Sequence, residues 1–88
     1  MQSQKRYDEA IKKYLLATEI APDRPGGFVS LAAAYVLNGE KKKSLQTLKL
    51  AVEKGLTDLA SITNNEAFDS IRSEPQFQQL IQNLPKTK

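Results

Sequence analysis

The stretch Phe28–Gly55, FVSLAAAYVLNGEKKKSLQTLKLAVEKG, predicts two helices joined by a tight turn. The first helix ends at Asn38-Gly39, because glycine readily adopts the left-handed conformation that follows a helix end. A second helix, the third of the chain, follows over residues 41–54, and Gly55 ends it in the same way. Its predicted apolar stripe is Leu45, Leu48, Leu50, Ala51 and Val52. The stretch therefore predicts a helix–turn–helix unit at the centre of the chain.

The first of these helices is apolar on two sides, which is unusual in a chain of 88 residues. At roughly 100° per residue, one side is a packing arc of Phe28, Leu31, Ala32 and Tyr35. The adjoining side, which we call the second arc, consists of Val29, Ala33, Val36 and Leu37. Two interpretations stay open: other helices of the chain cover the second arc, or it forms a groove for a binding partner.

A further helix is predicted before this unit. Residues 5–21 carry apolar side chains at helical spacing, and Pro22 ends the helix because its ring disfavours helical geometry at the preceding residue. Pro25 suits the first turn of the next helix. The apolar residues of this first helix are Tyr7, Ala10, Ile11, Tyr14, Leu15, Ala17 and Ile20.

The C-terminal third of the chain predicts two short helices and a longer amphipathic one. Residues 57–63 would turn Leu59 and Ile62 inward, and residues 64–71 would bury Phe68 and Ile71. In the last helix we expect Ser73 as the N-cap, Pro75 in the first turn and Gln76 in a capping box. The apolar stripe of that helix is Phe77, Leu80, Ile81 and Leu84, and residues 85–88 form a tail.

Composition excludes several classes of function. The chain has no cysteine and no histidine, which removes disulfides, thiol nucleophiles, ordinary zinc sites and histidine-based acid–base catalysis. The carboxylates between residues 58 and 74 do not converge at a catalytic or calcium-binding spacing, and Asn65 or Asp69 is expected to cap a helix. No apolar run approaches the ~20 residues of a membrane span. We predict no catalytic, cofactor or metal site, and therefore no enzyme.

The first and third predicted helices resemble each other when the chain is shifted by 34 residues. The shift aligns Ala10 with Ser44, Ile11 with Leu45, Tyr14 with Leu48, Ala17 with Ala51 and Glu19 with Glu53. Small, large, large, small and acidic residues thus recur at equal spacing. A fixed period of this length is typical of helical repeats that stack on one another.

The chain resembles the tetratricopeptide repeat family over residues 6–84. Residues 5–22 resemble the second helix of a partial repeat, and residues 25–55 resemble one full repeat, although Ser44 replaces the usual alanine and the closing proline is missing. Residues 57–84 resemble the capping segment of many bacterial arrays. The motifs that carry this last likeness are Phe68-Asp69, Ile71-Arg72 and Pro75-Gln76-Phe77.

The resemblance implies a single all-α domain over residues 1–88, built of antiparallel helix–turn–helix repeats of an α-solenoid with about five helices. It implies a non-catalytic module that binds a protein or peptide, with the second arc lining the groove. No cation lies along that arc, so we expect no recognition of a C-terminal carboxylate. The apolar residues of helix 5–21 exceed what one following repeat can cover. We expect either a longer array or multidomain protein, or a homodimer through this open N-terminal helix.

The charge run Lys41, Lys42 and Lys43 gives a further alternative. The run lies in the first turn of a helix, where the helix dipole disfavours cations, and a solvated helix start is the simpler interpretation. Contact with nucleic acid or an acidic partner is the alternative, although the net charge is only +3 and no aromatic platform accompanies the lysines. A structural cap with no ligand of its own is the remaining alternative, since glutamines face outward on the last predicted helix.

Overall fold

The computed structural model describes residues 3–56 and 60–82, and these residues form helices and turns without a strand. The α-helices are α1 (Ser3–Ile20), α2 (Pro25–Leu37), α3 (Lys41–Glu53), α4 (Ala60–Thr63) and α5 (Pro75–Gln82). A 3₁₀ helix, Glu66–Ile71, lies between α4 and α5. The predicted all-α class is confirmed for the part of the chain that the structure describes.

The turns follow the local signals of the sequence. α1 ends two residues before Pro22, and Pro25 is the first residue of α2. Gly39 and Gly55 follow α2 and α3 with φ angles of 85° and 101°. These angles lie in the left-handed region, which glycine enters without the steric penalty of a Cβ atom.

The helix α2 is the centre of the fold, with α1, α3 and the 3₁₀ helix packed around it. On one side Leu31 and Ala34 pack with Ile11 of α1. The main core lies on the other side of α2. There α2 and α3 approach each other closely, and the Ser44 hydroxyl donates a 2.8 Å hydrogen bond to the Ala32 carbonyl. That core consists of Phe28, Val29, Ala32, Val36, Leu45, Leu48, Ala51, Leu56, Ile62, Phe68, Ile71, Phe77 and Leu80.

The C-terminal segment contributes its apolar residues to this core as predicted. Ile62, Phe68 and Ile71 are fully buried, and the Phe68 and Phe77 rings pack at 6.2 Å between centroids. The Asn65 side chain caps the 3₁₀ helix by accepting a 3.0 Å hydrogen bond from the Ala67 N–H. The predicted positions of Leu59 and Leu84 fall outside the described residues.

Two details of the prediction are wrong. The apolar stripe predicted for the third helix included Leu50, but this side chain points to solvent because α2 and the C-terminal segment cover other sides of α3. The last helix begins at Pro75, and the Gln78 N–H bonds to the Glu74 carbonyl. The N-cap position therefore falls on Glu74 rather than on Ser73.

Candidate functional site

The structure divides the second arc of α2 into a buried and an open part. Val29 and Val36 are 5% and 6% exposed and belong to the main core. Ala33 is half-buried, and Leu37, at the end of α2, is 49% exposed. A groove lined by all four side chains is therefore not open to a partner in this arrangement, and only Ala33 and Leu37 offer surface.

The C-terminal segment contributes to the core that buries Val29 and Val36. The 3₁₀ helix packs against α2, and its Phe68 and Ile71 share one core cluster with both valines. The helical wheel identified which sides of α2 are apolar. It could not identify the segment that packs on α2, because that segment lies some 30 or more positions further along the chain, beyond the range of a local pattern.

The three lysines at the start of α3 are all exposed, but they differ in their surroundings. The Lys43 ammonium lies 3.2 Å from a Glu40 carboxylate oxygen and 5.7 Å from the centre of the Tyr35 ring. The Lys43 ammonium therefore already interacts with groups of the protein itself. Lys42 faces a groove between α3 and α5. The run Lys41–Lys43 is thus exposed at the start of α3, with Lys43 engaged by Glu40.

A small polar network joins the turn after α2 to α1. The Asn38 side-chain amide donates hydrogen bonds to Glu40, at 2.8 Å, and to Asp8 of α1, at 3.3 Å. The hydrogen bond from Asn38 and the interaction with Lys43 lower the pKa of the Glu40 carboxyl from its ordinary value. These contacts stabilise the charged carboxylate and fix the turn.

The groove between α3 and α5 has a volume of about 670 Å³ and is partly open to solvent. Leu45, Val52 and Leu80 form its apolar part. Its polar residues are Lys42, Gln46, Lys49, Glu53, Gln76 and Gln79. Amide and ammonium groups of this kind can hydrogen-bond a polypeptide.

Several exposed apolar side chains lie on α1, and the sequence indicated only some of them. Tyr14, Leu15, Leu16 and Ile20 are exposed, with Leu16 at 60% and Ile20 at 78%. Leu16 and Ile20 lie one turn apart on the same side of α1, whereas Tyr14 and Leu15 lie roughly 100° or more away from them around the helix. We call Leu16 and Ile20 the α1 apolar surface. The sequence indicated that Tyr14 and Leu15 exceed what one repeat can cover, but Leu16 was not counted because it falls outside the stripe that faces α2. A large apolar residue that lies off the main stripe of an amphipathic helix is the sequence signal that could have identified Leu16.

The arrangement of acidic side chains, the hydrophobicity of the helices and the comparisons with known proteins give no further indication of function. Within the described ranges no three acidic, histidine or cysteine side chains come together as a metal site would require. No described helix combines the length and hydrophobicity needed to cross a bilayer. No protein-family model, curated protein or solved structure matches the chain.

Proposed function

We propose that this protein is a non-catalytic helical module that binds another protein or peptide. The observation that carries the proposal is the α1 apolar surface. Leu16 and Ile20 are neighbours one helical turn apart, and at roughly 100° per residue both lie on the side of α1 opposite Ile11, which packs on α2.

The physical argument rests on the free energy of apolar hydration. Burial of apolar surface in a complex stabilises that complex by roughly 25 cal/mol for each Å² removed from water. Of the six large apolar side chains that are exposed in the described part of the chain, four belong to α1 (Tyr14, Leu15, Leu16 and Ile20), and the other two are Leu37 and Leu50. Within this helix Leu16 and Ile20 adjoin each other, and adjoining exposed apolar side chains are typical of a surface that a partner covers.

A tetratricopeptide-type repeat is part of the proposal. The α2–α3 unit has the expected small residues in contact, Ala32 and Ser44, and left-handed glycines end both helices. The likeness of α1 to α3 supports the same interpretation. We expect no recognition of a C-terminal carboxylate, since the second arc carries no cation and only Ala33 and Leu37 of it offer surface.

A structural cap is a second candidate, and a specific observation favours it. The 3₁₀ helix and α5 close the main core, and α5 turns glutamines 76, 78, 79 and 82 outward. A cap of a helical stack needs this combination of an apolar inner face and a polar outer face. The two candidates are compatible, because the C-terminal segment can close one end while α1 binds a partner.

The proposal can be tested with a displayed library of random 20-residue peptides selected on the immobilised protein. Peptides enriched on the wild type should lose binding to the double variant Leu16→Glu/Ile20→Glu. The matched control is Leu50→Glu, which places the same charge at an exposed leucine on α3. Enriched peptides should bind this control as they bind the wild type.

The result that would overturn the proposal is equally concrete. If no peptide is enriched, or if enriched peptides bind the double variant as well as the wild type, the α1 apolar surface is not a binding surface. Far-ultraviolet circular dichroism on each variant keeps the comparison to folded protein. Since Leu16 and Ile20 make little buried contact, the helical signal should be unchanged.

A further inference from the structure

Asn38 and Gly39 form the single Asn-Gly pair of the sequence. An asparagine before glycine is prone to deamidation, because glycine has no side chain to hinder its backbone nitrogen. That nitrogen attacks the asparagine Cγ, the new N–Cγ bond closes a succinimide ring, and Nδ2 leaves as ammonia. Water then opens the ring to aspartate or isoaspartate. The net change converts one amide and one water into one carboxylate and one ammonium ion.

The folded turn holds this pair in a conformation that prevents the attack. The ψ angle of Asn38 is 4°, so the Gly39 nitrogen lies on the side of the Asn38 backbone nitrogen and away from the Asn38 Cβ. The Gly39 N–H also donates a 3.1 Å hydrogen bond to the Val36 carbonyl. Ring closure therefore requires the turn to open first, and its rate follows the population of the opened turn.

The surroundings of the Asn38 side chain give the loss of its amide a structural consequence. Nδ2 donates to Glu40 at 2.8 Å and to Asp8 of α1 at 3.3 Å, so one amide lies between two carboxylates. The Asn38 Oδ1 is buried and accepts no hydrogen bond from the described residues. The Lys43 ammonium, 3.2 Å from the second Glu40 oxygen, already pairs with that carboxylate. A carboxylate in place of the amide has no proton to donate and brings a third negative charge between its two neighbours.

The contact with Asp8 is one of two ways in which α1 is held to the rest of the described structure. The other is the apolar cluster of Ile11, Leu31 and Ala34, which packs α1 on α2. The Asp8–Asn38 hydrogen bond joins the same helix to the turn after α2. After deamidation the apolar cluster has to hold α1 against repulsion between carboxylates at this point.

We infer that Asn38 is a deamidation site at which loss of the side-chain amide converts the hydrogen-bonded link between α1 and the turn after α2 into a repulsive contact. Each opening of the turn exposes Asn38 to a reaction that reclosing does not reverse. The product is a chain in which α1 detaches from α2 more often. The inference does not depend on any partner of α1.

The reaction itself is followed by mass spectrometry of proteolytic fragments. The whole chain is incubated in alkaline buffer, which favours loss of the Gly39 N–H proton, with and without denaturing guanidinium chloride. Deamidation at Asn38 should be at least about tenfold faster in the denaturant, where the opened turn is fully populated. Asn65, which precedes a glutamate, is the internal reference and should react more slowly than Asn38 in the denaturant.

The structural consequence is measured by deuterium uptake of the α1 amides in the whole chain. Asn38→Asp reproduces the aspartate product, and Asn38→Ala is the matched control that removes the same hydrogen bonds without adding charge. Uptake in α1 should be at least about fivefold faster for Asn38→Asp than for Asn38→Ala, because only the first adds repulsion. Adding Asp8→Asn to Asn38→Asp should restore most of the protection, since an amide then faces the new carboxylate.

Four outcomes would overturn the inference. Two concern the reaction: no deamidation of Asn38 in the denaturant, or an equal rate in buffer and in the denaturant. Two concern its consequence: equal α1 uptake for Asn38→Asp and Asn38→Ala, or no recovery when Asp8→Asn is added. Far-ultraviolet circular dichroism shows that each variant is folded. The reaction rates are measured on the wild type, so they test the site even if a variant fails to fold.

Discussion

At the scale of single residues, the turn after α2 shows how local chemistry fixes the centre of the fold. Gly39 supplies the left-handed backbone, and the Gly39 N–H bonds back to the Val36 carbonyl at 3.1 Å. Asn38 and Glu40 then tie the turn together through a 2.8 Å hydrogen bond. Glycine is required here because an L side chain at this φ clashes with its own backbone.

Gly39→Ala should lower the free energy of unfolding by about 1–2 kcal/mol, since alanine is strained at a φ of 85°. Gly26→Ala is the matched control. Gly26 is helical, and a Cβ atom added there meets nothing within 4 Å. The control should raise the stability by about 0.5–1 kcal/mol. Urea unfolding followed by circular dichroism measures both, and equal effects of the two changes would contradict the left-handed requirement.

Glu40 gives a prediction on pH. Its pKa is lowered in the folded protein by the hydrogen bond from Asn38 and the interaction with Lys43. The unfolded chain binds the proton more readily, so the contribution of Glu40 to stability is full above its ordinary pKa of 4.5. That contribution is lost as the pH falls through the lower folded value.

Glu40→Gln should therefore lower the free energy of unfolding at neutral pH. The difference in this free energy between the variant and the wild type should become smaller at acidic pH. Urea unfolding at a series of pH values measures this difference. Glu9→Gln, which removes one exposed carboxylate from α1, is the charge-matched control. A Glu40→Gln difference that is constant from pH 7 to about pH 3 would show that the Asn38 and Lys43 contacts do not stabilise the carboxylate.

At the scale of elements, the 3₁₀ helix is the part that decides whether α2 is a surface helix or a central one. Its Phe68 and Ile71 are fully buried in the cluster that contains Val29 and Val36. Loss of this segment would open part of the core that contains Val29 and Val36. The C-terminal segment therefore acts on the fold through burial of apolar area rather than through its own short helices, which are too short to be stable alone.

Phe68→Ala should lower the free energy of unfolding by about 3–5 kcal/mol, because a fully buried ring leaves a cavity among residues that cannot collapse completely. Leu50→Ala, at an exposed leucine of α3, should change stability by less than about 1 kcal/mol. Chemical unfolding measures both, and binding of a dye for exposed apolar surface reports whether Val29 and Val36 become accessible. A loss below about 1 kcal/mol for Phe68→Ala would contradict the role of the C-terminal segment.

The sequence was informative about elements and much less so about what packs on them. Pro22, Gly39 and Gly55 marked the helix ends correctly, because these signals act within a few residues. Ile62, Phe68 and Ile71 were correctly predicted as buried. The burial of Val29 and Val36 and the exposure of Leu50 depend on contacts between distant segments. A helical wheel ranks the sides of a helix by polarity, but it does not identify the partner of each side.

At the scale of the whole molecule, the apolar area is distributed unevenly. The described part of the chain extends 42 × 31 × 18 Å, and its main core lies between α2, α3 and the C-terminal segment. The smaller cluster between α1 and α2 contains Ile11, Leu31 and Ala34. One end of the molecule is thus closed by several elements, while α1 keeps apolar side chains in solvent.

This distribution predicts that stability and binding can be separated. Leu16→Glu/Ile20→Glu should leave the free energy of unfolding within about 0.5 kcal/mol of the wild type, because both side chains are mostly exposed. Differential scanning calorimetry measures the effect. A drop of several degrees in the midpoint at every protein concentration would show that these residues stabilise the fold itself. A drop confined to high concentration would instead indicate that they mediate association.

The central position of α2 also sets the order in which the backbone opens. α2 is enclosed by α1, α3 and the 3₁₀ helix, whereas α1 packs mainly against α2. Amide hydrogens of α1 should exchange with solvent through local detachment of that helix. Those of α2 should exchange only when the whole domain unfolds. A docked partner would then be detected first as slower deuterium uptake in α1, long before any change in α2.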